Sequence, residues 1–183
     1  MNSRALKYLV LVVFLLTTSC AQKIVFTAQL RNKLEKQDID LQEVQFYNSD
    51  KIVLEREEEK PEELSIRSGT VKIEEGRIIE EIVIKKKTPG ICVEAHPYHL
   101  NISFEDRSDN SLKFGRKAGN HLGNTFKLYA KSWRDETGKI QYGDTIYTTG
   151  KGAAASHLLV KKSQIYKLIR EKRVAKGRTI KED

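Results

Sequence analysis

The sequence predicts a mainly β or α+β chain, an antiparallel β-sandwich or small barrel with a short helix ahead of it and a basic helix behind it. Three observations predict this. From Val44 onward, brief runs rich in β-branched and aromatic residues are separated by turn chemistry. Several of these runs alternate apolar and polar residues one by one, as a half-buried strand does. Helical spacing is confined to two short stretches near the ends.

Residues 26–36 read as the first helix: Thr27 can cap it, and Leu30 and Leu34 form an apolar stripe while Arg31 and Glu35 pair at i, i+4. Strands are predicted at 43–47, 51–56, 69–74, 77–86, 91–95, 99–105, 111–116, 125–133, 139–142 and 145–148, with a last one at 157–160. Turn residues stand between them, among them Asn48-Ser49-Asp50, Thr137-Gly138 and Gly143-Asp144. Leu100, Ile102 and Phe104 form one apolar row and Phe126, Leu128 and Ala130 another; these rows are the predicted core. After the small-residue stretch 150–156, Ser163 can cap a second helix that carries Ile165, Leu168 and Ile169 on one face and stops at Gly177. A strand through 165–169 is the alternative there.

The 183 residues carry a formal charge of +8, or +6 once Arg4 and Lys7 are set aside with the leader. The excess is localised. Residues 161–183 hold nine Lys or Arg against three acids, whereas 55–63 hold six Glu. Such a pair of opposite patches orients docking. Apolar residues at 39% and an appreciable aromatic content exclude a disordered chain.

The front of the chain runs from the cations Arg4 and Lys7 through an unbroken apolar stretch, Leu9 to Leu16, to Thr17, Thr18 and Ser19. That is the order of a secretory signal peptide, and its apolar core is about half the roughly 20 residues that cross a bilayer. The segment resembles the signal of bacterial lipoproteins, in which a cysteine after a small-residue box is acylated on its thiol before cleavage. The resemblance covers the leader alone, and Thr17 stands where that box carries an aliphatic residue. It implies that residues 1–19 are removed, that Cys20 becomes the lipid-bearing first residue, and that 20–26 serve as anchor and tether. The domain then spans 27–177, and 178–183 form a fraying tail. Ala21, Gln22 and Lys23 put no acid beside the anchor, which by the same resemblance implies the outer membrane, on its periplasmic face. Cleavage after Ala21, giving a soluble product, is the alternative. With Cys20 acylated, Cys92 has no partner in the chain and no internal disulfide is expected.

Four groups of residues bear on chemistry. Cys92, Glu94, His96 and His99 are zinc-type ligands, and the first three would share a face of a regular strand; their spacing fits no standard zinc motif, and no metal or other cofactor is expected. Ser156 and His157 are neighbours whose side chains leave opposite faces of a strand, so they cannot act as nucleophile and base. Tyr129, Trp133, Tyr142 and Tyr147 can form either an aromatic platform for a sugar or core and rim packing. In the basic tail, Lys167, Arg170, Arg173 and Lys176 form a contact for an anionic surface or an acidic partner, and an exported chain does not meet nucleic acid. The sequence therefore leads to the expectation of a lipid-anchored periplasmic protein with a non-enzymatic role, an interaction or scaffold component that accompanies an envelope secretion or assembly machine and binds an envelope protein. A glycan-binding or small-molecule-binding lipoprotein is the first alternative, and a metal-dependent or carboxylate-based hydrolase the second.

Overall fold

The computed structural model describes residues 22–58, 70–74, 77–106, 110–118 and 121–171. The leader with Cys20, the acidic loop 59–69 and the basic end with Arg173 and Lys176 lie outside the described residues. In chain order the strands are β1 (Lys23–Val25), β2 (Gln45–Asn48), β3 (Ile52–Glu58), β4 (Thr70–Glu74), β5 (Arg77–Ile84), β6 (Pro89–Ala95), β7 (His99–Ser103), β8 (Ser111–Ala118), β9 (His121–Leu128), β10 (Ser132–Arg134), β11 (Thr137–Tyr142), β12 (Thr145–Thr149) and β13 (Leu158–Lys161). The helices are α1 (Ala28–Glu35), between β1 and β2, and α2 (Lys162–Glu171), after β13.

The strands form two antiparallel sheets, as the sequence predicts. One runs β1-β13-β2-β6-β7-β8-β9 and the other β10-β11-β12-β3-β5-β4. The first curls far enough that its last strand meets its beginning: Lys127 bridges His157, Thr27 bridges Thr125, and the Leu128 amide donates to the Ser156 carbonyl at 2.8 Å. This seam covers an edge that would otherwise present unpaired backbone groups. Both sheets bury their inward rows in one continuous core. Phe26, Phe46, Leu100, Phe114 and Phe126 come from the curled sheet and its flank, and Ile52, Leu54, Ile82 and Ile140 from the other. At its centre the Phe26 ring meets Phe46 edge-on at 5.0 Å and Phe126 at 5.2 Å, an arrangement the aromatic quadrupole favours.

The chain changes sheets twice on one side, between β2 and β3 and again between β5 and β6. Asn48 ties both corners together: its amide donates to the Asp50 carbonyl at 2.6 Å and the Lys85 carbonyl at 2.8 Å, and its own carbonyl accepts from the Lys87 amide. A fully buried side chain amide is tolerated because its donors are used. Thr27 caps α1 as predicted, accepting from the Leu30 amide, while Leu34 is wholly buried. The 162–171 segment is helix and not strand, with Ile165 buried and Leu168 and Ile169 packed against the core.

Three expectations are corrected. Lys23–Val25, placed in the tether by the sequence reading, is a strand paired with β13, and Phe26 is completely buried, so the fold starts at the front of that segment. The run 125–133 is two strands: after Leu128 the chain leaves the curled sheet and β10 joins the other one. The turn assigned to Thr137-Gly138 falls two residues earlier, on Asp135 and Glu136, which take left-handed φ values of 47° and 68°. Gly138 is then a strand residue opposite Trp133, and its lack of a side chain serves packing, not a turn.

Candidate functional site

The outer surface where β8, β9 and the β10–β11 hairpin meet is a trough. Along β8 and β9 the inward positions are Leu112, Phe114, Phe126 and Leu128, so the outward ones are Lys113, Gly115, Lys127 and, just past the strand, Tyr129. The Tyr129 ring lies 3.6 Å from where a Gly115 Cβ would stand, an ordinary contact distance. Gly138 is approached much more closely by Trp133. A Cβ there would come within 2.7 Å of the indole and 2.8 Å of the Ala130 methyl, so the indole packs where a side chain at this position would stand. Trp133 and Tyr129 keep 39% and 43% of their surface exposed. Both rings are thus partly exposed, and each lines the trough.

The two rings divide the trough into three adjoining cavities. The middle one, about 770 Å³, has both rings in its wall together with Arg116, Lys117 and Lys127. A second, about 210 Å³, continues past Tyr129 and Lys131 to Asn101, Lys113 and Gln141. The third, about 350 Å³, continues past Ser132 and Trp133 to Arg134, Lys139 and Thr148. No Asp or Glu lines any of the three among the described residues, and no ion pair between described residues engages these cations. Lys131 donates instead to the neutral Gln141 amide at 2.8 Å, and Lys113 sits 5.7 Å over the Tyr129 ring. The guanidinium of Arg116 lies 5.7 Å from Phe126 and 6.0 Å from Tyr98, and its buried Nε has no acceptor among the described residues. A one-sign cleft of this kind raises the local concentration of anions and adds flat apolar faces for rings to lie on.

No protein-family model, curated protein or solved structure matches the chain.

The zinc-type group does not converge. A β-bulge between Cys92 and Glu94 breaks the alternation on which a shared face depends: Cys92 pairs with Ile102 and turns into the core, whereas Glu94 pairs with Asn101 and turns out. The Cys92 thiol is only 3% exposed and burial pushes its pKa up to about 11, so it stays protonated and unreactive at neutral pH. Outside, His96 stacks on His99 at 4.1 Å and reaches the Glu94 carboxylate at 3.0 Å, which holds Glu94 below its usual range. His99 is itself pushed down by burial and then by His96 and Lys113. The buried Arg31 of α1 supports this turn by donating to the carbonyls of His96 and Pro97. No group of three such side chains among the described residues is placed to hold a metal ion.

His157 finds a serine on the neighbouring chain segment of the same sheet, but it is Ser49 and not Ser156. Ser49 Oγ donates to Asp50 at 2.6 Å and accepts from the His157 amide at 2.8 Å, while His157 Nδ1 lies 3.0 Å away. The hydroxyl proton is held by a carboxylate, which this bond keeps below its ordinary pKa. The trio closes the corner between β2 and β3. Of the four aromatics, Tyr142 and Tyr147 are buried at 3% exposure with rings 6.2 Å apart, so only Tyr129 and Trp133 form a platform.

Lys167 and Arg170 are exposed on α2, Lys167 within 3.7 Å of Glu171. The first amide of this helix donates to the Gln22 carbonyl at 3.0 Å, so α2 starts beside the segment that follows Cys20. Among the described residues no helix is long and apolar enough to cross a membrane. The sequence reading missed Lys127, Lys131, Arg116 and Gly138; the only signal was the outward row of alternating strands, which cannot say which strands adjoin.

Proposed function

We propose that the protein is a membrane-tethered, non-catalytic binding protein of the cell envelope: acylated at Cys20, held on the periplasmic face of the outer membrane, and engaging an envelope component through the trough. The observation that carries this reading is the trough itself, with two partly exposed aromatic rings among cations that have no acidic partner among the described residues. The start of α2 against Gln22 supports a second contact, in which Lys167 and Arg170, continued by Arg173 and Lys176, rest on anionic head groups beside the anchor. The inert Cys92 and the carboxylate-bound Ser49 give no support to a nucleophilic mechanism at either residue.

Fractionation and crosslinking test it together. The wild-type protein is expected to incorporate labelled fatty acid and to sediment with membranes, and Cys20→Ser to do neither. A photo-crosslinker at Ser132 in the trough should capture an envelope component in intact cells, whereas one at the exposed Lys51 should not. A wild-type chain without lipid would remove the tether, and equal capture at the two positions would remove the trough.

A further inference from the structure

We infer that the trough takes an acidic polysaccharide, a chain of sugar rings bearing carboxylate or sulfate groups. This inference rests on the binding role just proposed and names the ligand class for the same site.

Three features of the trough select that chemistry. It is extended and subdivided: three cavities adjoin in a row, with Tyr129 at one boundary and Trp133 at the other. A polymer of similar units needs repeated subsites, and a ring lying across each aromatic face supplies the stacking that a peptide backbone does not. Cations occur in every cavity, with Lys113 at one end, Lys127 in the middle and Lys139 at the other end. A ligand charged once would use one of them; a ligand charged along its length uses all. Between the charges stand neutral hydroxyl groups, Ser111, Thr125 and Ser132, suited to the hydroxyls of a sugar. A single-stranded nucleic acid also combines rings with charge; the export proposed above favours the glycan, and an oligonucleotide is one arm of the test.

Trp133 is the sole tryptophan of the chain, so its emission reports occupancy directly. Full-length mature protein should be titrated with hexagalacturonate, a sulfated heparin hexasaccharide, neutral maltohexaose and oligothymidylate. The expected result is a saturable change in Trp133 emission with one or both acidic sugars, weakened by salt through screening of exposed charges, and none with maltohexaose. The double variant K127Q/K131Q should bind about tenfold or more weakly, a loss of about 1.4 kcal/mol or more. Both side chains point outward, so its thermal midpoint should match that of the wild type. Gly138→Ala should shift the indole and weaken binding without altering the charge.

No response to either acidic sugar, unchanged affinity in K127Q/K131Q, or tighter binding of oligothymidylate than of both acidic sugars would each overturn the inference. If the sugars fail while Ser132 still crosslinks selectively in cells, the binding role stands and the ligand class falls. If both fail, the trough is not a contact surface.

Discussion

Glu80 and the trough cations are the same kind of group treated in opposite ways. Glu80 lies on the inward row of β5 with Ile82 and Ile84 and is 4% exposed. Its carboxylate Oε2 receives Arg56 through Nη2 at 2.9 Å and Nε at 3.1 Å, and the Tyr147 hydroxyl at 3.2 Å. Arg56 is its cross-strand neighbour, so sheet register alone brings them together. A charge taken from water costs several kcal/mol unless it is paired and hydrogen-bonded, and here it is both. In the trough Lys127 and Lys131 stay exposed and have no acidic partner among the described residues, so they contribute little to stability. The Glu80 charge is thus partnered within the fold, whereas the exposed trough lysines have no such partner among the described residues.

The comparison can be broken at its most stabilised point first. Glu80→Ala removes the buried carboxylate that Arg56 and Tyr147 share, and should cost about 1–3 kcal/mol, at the lower end of the buried-pair range because Arg56 is partly solvated. Urea unfolding would measure it, and a loss below a few tenths of a kcal/mol would show that the pair contributes no more than a surface bridge. An intermediate case is His99, whose proton the folded state disfavours through burial and through the nearby His96 and Lys113, with Glu94 opposing. The unfolded chain binds that proton near pH 6.5, so it holds more protons than the fold just below that value. The thermal midpoint should therefore fall as pH drops below about 6.5, and His99→Gln should flatten the decline. The smallest effect is expected in the trough: K127Q/K131Q should leave stability within about 0.5 kcal/mol. A larger destabilisation would mean that these lysines serve the fold.

The strands were legible because alternation and turn residues report burial directly, as in Leu100 to Phe104 and in Ile82 to Ile84. The capped helix at Thr27 was legible for the same local reason. What stayed hidden depends on contacts between distant segments. The bulge after Cys92 inverts Glu94 with no sequence mark that separates it from a regular strand. Gly138 reads as a turn residue until the indole above it is seen. The trough joins β8 and β9 of one sheet to β10 and β11 of the other, so its lysines are unremarkable singly and informative only once the sheets adjoin.

The Gln22 carbonyl is already bound by Lys162, two residues beyond the proposed lipid. At up to 3.6 Å per residue, the first fixed atom of the body can stand no more than roughly 7 Å of chain from Cys20. A lipoprotein on a long flexible stalk sweeps a volume; a body acylated at Cys20, as proposed above, would instead stay close to its bilayer, and a ligand would have to come within a molecule's thickness of the surface.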